Sequence, residues 1–183
     1  NMGEYYSYSQ LSTYLSCPQK YKLIYIDKIK KEEQSVEAFL GIVIHEVLEW
    51  LYNNPKVELT YVTFDKIINK YNEIWDNKKH NKIYMAWIRV QYKRDKSLYN
   101  INWFKKKGIE CLREYYKFNG PNFTNIEVIG IEQEINIKIG NYHLKGYIDR
   151  LDIMGNSIII NDYKTGKTKT KKTLLNDLQL FIY

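Results

Sequence analysis

Apolar residues recur at helical spacing through the first part of the chain and alternate with polar ones near its end. Leu11, Tyr14 and Leu15 share a helical face behind a capping Ser7 or Ser9, and Pro18 restarts a second short helix ending near Tyr25. Phe39, Leu40, Val43, Val47, Leu48 and Leu51 mark a helix over about 36–52, stopped by Asn53-Asn54-Pro55. Thr63 caps the next, whose Phe64, Ile67, Ile68, Tyr71 and Ile74 lead to Trp75. A polar loop over 76–82, a weaker helix over about 82–93 and a long one over about 98–118 follow, the last closed by Asn119-Gly120-Pro121. The period then drops to two. Ile131, Ile135, Ile137 and Ile139 alternate with Glu132, Glu134, Asn136 and Lys138 in a strand over 126–139. Gly140-Asn141 and Gly155-Asn156 are hairpin turns, which puts further strands at 142–153 and 157–163. Thr173 caps a closing helix over 174–183.

At 183 residues the chain can bury the core of one domain. The net charge of +7 suits a polyanionic partner. Only four of the 28 basic residues are arginine, and 18 residues are tyrosine. Lysine with tyrosine suits nucleic acid, charge for phosphates and rings for bases. The same composition also follows from AT-rich codons, so it is supporting rather than deciding. Cys17 and Cys111 lie far apart and imply no disulfide framework. The longest apolar run, 39–51, holds His45, Glu46 and Glu49 and is too short and polar to span a bilayer. A soluble, cytoplasmic protein with no membrane partner is expected.

The chemistry concentrates between Gly146 and Lys167. Each strand of the second hairpin carries an acid, Asp149 and Asp162, and Lys164 lies two residues beyond Asp162 on the same face. Two carboxylates and an ammonium can hold a divalent metal on oxygen beside a cation that positions water or steadies charge on phosphate. This is the equipment for cutting a phosphodiester. The basic loop that follows, with Lys167 and Lys169, suits phosphates. Two other readings are excluded. His45-Glu46 begins a zinc-protease motif, but position 49 is Glu; Gly166-Lys167-Thr168 imitates a phosphate-binding loop, but its first glycine is replaced by Asn161. Arg150 and Asp152 fall on the opposite face and are expected to pair with each other or with neighbours.

Asp149 followed by Asp162-Tyr163-Lys164 resembles the PD-(D/E)XK nuclease signature, in the D-x-K form of its RecB/AddB-like and CRISPR-adaptation-nuclease-like branch. Three further stretches carry the resemblance in order: S-x-S-x-L-x-x-Y-x-x-C-P-x-x-Y from Ser7, G-x-x-x-H-x-x-L-E from Gly41, and Q-L-x-x-Y from Gln179. The resemblance implies an α/β fold with a restriction-endonuclease-like core: a mixed central sheet flanked by helices, with a helical insert. One domain over 1–183 is expected, helical over about 7–119, with the catalytic sheet at about 124–164 and the closing helix at 173–183. The chain ends within the last motif, so the family's remaining C-terminal elements are expected to be missing.

The resemblance also implies roles. His45, Asp149, Asp162 and the backbone carbonyl of Tyr163 bind Mg²⁺ or Mn²⁺. Lys164 polarises the attacking water, Gln179 orients the lysine or the phosphate, and Tyr183 contacts nucleic acid. A glutamate before the metal strands, Glu132 or Glu134, has a counterpart in the branch and also an ordinary surface explanation. Cys17 matches the first of four iron–sulfur ligands in several relatives, but a cluster would need three more cysteines from a longer chain. Without them Cys17 reads as a small buried hydrophobe. The implied function is a Mg²⁺- or Mn²⁺-dependent deoxyribonuclease, an exonuclease on single-stranded DNA ends in repair, recombination or CRISPR adaptation. The alternatives are a nuclease subunit of a helicase–nuclease or CRISPR-adaptation assembly, inactive alone, and a nucleic-acid-binding module without catalysis.

Overall fold

The computed structural model describes residues 4–29, 35–53, 59–78, 101–124, 126–166, 170, 174, 177, 179 and 182. Three long helices form the core: α3 (Val36–Asn53), α4 (Phe64–Lys78) and α5 (Ile101–Asn119). They follow α1 (Tyr8–Ser16) and α2 (Pro18–Tyr21), the latter running on into a π-helical turn over Lys22–Ile26. The predicted stripe of α3 is buried throughout, from Phe39 to Leu51. It meets Ile67, Tyr71, Ile74 and Trp75 of α4 and Phe104 and Leu112 of α5 in one cluster. Gly108 is required where the three helices meet. A β-carbon there would lie 2.2 Å from the Tyr71 hydroxyl and 2.8 Å from Leu40. That space lets Tyr71 donate its hydroxyl hydrogen to the Lys105 carbonyl at 3.1 Å.

The sheet is built around one strand. β3 (Tyr142–Met154) pairs antiparallel with β2 (Glu127–Ile139) along its whole length. Its other side is shared by two short strands. β1 (Glu4–Ser7) runs parallel to it from Glu4↔Tyr142 to Ser7↔Lys145, and β4 (Ser157–Asn161) antiparallel from Met154↔Ser157 to Arg150↔Asn161. Among the described residues, β3 has no strand partner on that side between Lys145 and Arg150. The C-terminal ends of β1 and β4 face each other across this gap, and Asp149 lies in it.

β1 was not foreseen. Four residues carry too little alternation to announce a strand, and their partner lies far along the chain. Ser7 does cap α1: its hydroxyl accepts from the Gln10 amide, and the Gln10 side chain accepts from the Ser7 amide. β4 ends at Asn161, so Asp162, Tyr163 and Lys164 follow the strand rather than continue it. The expected helix over 82–93 lies outside the described residues. No described helix is long and apolar enough to cross a membrane.

Candidate metal centre

Asp149 is delivered by β3, Glu132 by β2 and His45 by α3. Their donor atoms lie within 4.8 Å of one another. Glu132 stands opposite Asp149 in the β2–β3 register, between the pairs Ile131↔Arg150 and Gln133↔Ile148. Its backbone is unusual for a strand, with φ of +47°, a region that L-residues rarely occupy. Glu134, two residues on, keeps the ordinary strand course and takes a surface role. It pairs with Lys145 at 2.9 Å and accepts from the Tyr147 hydroxyl at 3.0 Å.

The imidazole is held at both nitrogens. Nε2 lies 2.9 Å from the Tyr163 carbonyl, which can only accept, so Nε2 carries a proton. Nδ1 then faces Asp149 Oδ1 at 3.5 Å. In neutral histidine that sets two lone pairs toward each other, an arrangement relieved by a proton or a cation between them. The second Asp149 oxygen accepts the Tyr163 amide hydrogen. Tyr163 thus secures both His45 and Asp149 through its backbone.

Burial pushes the Asp149 carboxyl above the usual carboxylate range, against the Tyr163 amide and His45, which pull it down. Partial burial and the Asp149 charge push Glu132 up too. Two raised acids and an imidazole are a donor set that a divalent cation would satisfy. Two carboxylates with one nitrogen fit Mg²⁺ or Mn²⁺ and supply too little sulfur or imidazole to favour softer metals.

Asp162 makes pairings of its own, close enough to the centre for its charge to raise the Asp149 carboxyl. Its carboxylate pairs with Lys164 at 2.7 Å and accepts from the Gln179 side chain at 3.0 Å. The structure therefore brings the predicted residues together in two groups, His45 with Asp149 and Tyr163, and Asp162 with Lys164 and Gln179. Lys167, Lys169 and Tyr183 lie outside the described residues. Cys17 is exposed, not the buried hydrophobe expected of it, because α1 and α2 bury no residue at all. Gly41, one turn before His45, faces Thr165, whose hydroxyl would sit 3.6 Å from an added β-carbon, an ordinary contact.

Behind the centre lies a polar cluster that spacing only half predicted. Arg150 and Asp152 are 3% and 1% exposed and pair at 2.9 Å. Asn161 donates to Asp152 at 2.7 Å, and Arg150 donates to the Tyr115 hydroxyl at 2.7 Å. Tyr115 and Tyr52 share a 2.6 Å hydrogen bond, and the guanidinium lies 4.4 Å from the Tyr52 ring centre. The Tyr163 ring packs edge-on to both His45 and Tyr115. Its side chain is thereby anchored in this cluster while its backbone serves the centre. Burial raises the Tyr52 and Tyr163 phenols, so both stay neutral. The Arg150–Asp152 pairing was legible in the sequence; the three tyrosines, from three elements, had no local signal.

A family model for the PD-(D/E)XK nuclease superfamily matches residues 5–183. The chain belongs to that superfamily, and its mixed four-stranded sheet flanked by helices is the restriction-endonuclease-like fold. It is a nuclease by family, and nucleases of this kind use divalent metals. Comparison with curated proteins gives no significant match.

Proposed function

We propose that this chain is a Mg²⁺- or Mn²⁺-dependent deoxyribonuclease of the RecB/AddB-like branch, acting exonucleolytically on single-stranded DNA ends in repair, recombination or CRISPR adaptation. The observation that carries the reading is the convergence of His45, Glu132 and Asp149 at one point of a chain that belongs to this superfamily. His45, on the helix motif of that branch, supports the exonuclease assignment.

His45, Glu132 and Asp149 would hold the metal, with the Tyr163 carbonyl beside them. A divalent ion there supplies Lewis-acid stabilisation of phosphate charge and acidifies water. The chain supplies the rest. Lys164 carries an ammonium that transfers from Asp162 to an incoming phosphate or its attacking water, where it offsets developing negative charge. Gln179 holds the Asp162 carboxylate in place as the lysine leaves it. Asp162, whose charge reaches Asp149, would add a second acid beside the metal.

The test is digestion of end-labelled single-stranded and duplex DNA with Mg²⁺ or Mn²⁺, beside Lys164→Ala and an EDTA control. Cutting from the ends of single strands, lost in the variant and in EDTA, is expected. Cutting that survives EDTA would overturn the mechanism. The pairing of Lys164 with Asp162 favours a second reading, a subunit idle until a helicase or CRISPR-adaptation partner joins it. Activity that appears only in a co-purified complex would select that reading.

A further inference from the structure

The gap in the sheet edge beside Asp149 opens into a groove of about 360 Å³, lined by Tyr5, Ser7, Ser9, Lys145, Tyr147 and Gln179 among others. Gln179 belongs to both places: it lines the groove and donates to Asp162. The groove is therefore continuous with the acid–lysine pair. Side chains on β3 alternate faces, so His143, Lys145, Tyr147 and Asp149 stand in one row. They step away from the metal centre at about 7 Å per pair of residues.

That row alternates rings with a cation. Tyr147 is 49% exposed, and the Lys145 ammonium lies 5.5 Å from its ring centre. At the far end Tyr5, 50% exposed, is Cα partner to His143 and stacks on it with ring centres 5.0 Å apart. Glu134 ties down both Lys145 and Tyr147, which fixes the ring and offsets the ammonium. Half-exposed rings held in place, with little net charge around them, are suited to flat heterocycles more than to phosphates. Nucleobases of a single strand are such ligands, since every base offers a π-face and duplex bases are not free to stack on protein.

We propose that this groove is a base-stacking subsite, in which the single-stranded stretch flanking the cleaved phosphate lies along β3 with its bases on Tyr147 and Tyr5. The proposal rests on the nuclease reading for what the strand is doing there, but not for the stacking itself.

The experiment measures binding of a short fluorescent oligothymidylate by anisotropy in EDTA, so that no cleavage intervenes. Tyr147→Ala and Tyr5→Ala each weaken binding about 5- to 100-fold. Tyr147→Phe, which keeps the ring and loses only the bond to Glu134, stays within about twofold. The salt dependence is shallow, because stacking and not charge carries the affinity. Binding of a blunt duplex is unchanged by all three substitutions. Alanine variants that bind the oligonucleotide like the parent protein would overturn the subsite, as would a Phe variant as weak as the Ala variant. The cutting assay separates this from the parent reading. If the protein cuts DNA while the alanine variants bind normally, the nuclease stands and the subsite falls. If nothing is cut but the alanine variants lose binding, the subsite stands and catalysis falls.

Discussion

The helical layer and the sheet are built to different standards. α3, α4 and α5 bury a continuous cluster from Val36 to Leu112. The sheet contributes Leu144 and Ile148 as its only buried apolar side chains among the described residues, while Ile158, Met154 and Ile139 are more than half exposed. The chemistry lies on the boundary between the two. α3 serves both sides, turning Val43 and Val47 into the core and His45 toward β3. Stability is thus concentrated in one layer, and the sheet is left free to open a groove and carry charged groups.

Substitutions can break that contrast. The largest stability effect belongs to the helices: Trp75→Ala should cost about 3–5 kcal/mol in urea unfolding, whereas Ile158→Ala on the sheet should stay within about 0.5 kcal/mol. Equal effects would mean that the sheet carries more of the fold than its burial implies. The boundary comes next. Arg150→Met leaves Asp152 buried without its cation and should cost about 3–5 kcal/mol. Adding Asp152→Leu should restore much of this, and a double-mutant cycle by chemical denaturation reads the coupling. At the site, Lys164→Ala should lower the cutting rate by about 10²–10³ while the melting temperature holds. A parallel loss of stability would make Lys164 structural.

The smallest effect is a pH dependence. The Asp149 carboxyl is raised in the fold, so the protonated form is the one the fold favours. Its stabilising contribution is present below the ordinary carboxylate range and is lost as pH rises through the raised value. Metal-free Asp149→Asn should therefore gain stability relative to the parent chain between about pH 4 and pH 7. Added Mn²⁺ should reverse the order by stabilising only the parent chain. Thermal melts at both pH values, with and without metal, test the sign.

Much of this architecture was legible in the sequence because its elements are long and periodic. The stripe on α3 and the β2–β3 hairpin follow from spacing alone. What escaped depends on distant partners. β1 exists because β3 offers it an edge. Alternation puts Glu132 and Glu134 on one face and cannot choose between them; in the fold Glu132 is the one that lies beside His45 and Asp149. Asp162 was expected on β4 itself, from a strand read as running to residue 163. The strand stops at Asn161, whose amide is taken by Asp152. The tyrosines around Arg150 converge from α3, α5 and the segment after β4, and no window of sequence contains them together.

The hydrogen bond between His45 and the Tyr163 carbonyl spans 118 positions of chain. Glu132 and Asp149, by contrast, meet within a single hairpin. Long closures are slow to form and local ones fast. A chain that has folded only its hairpin holds two acids and no imidazole, so it lacks a complete set of donors. A metal would therefore find its full set of donors only once α3 has docked, and recovery of metal binding after dilution from urea should lag behind recovery of hairpin structure.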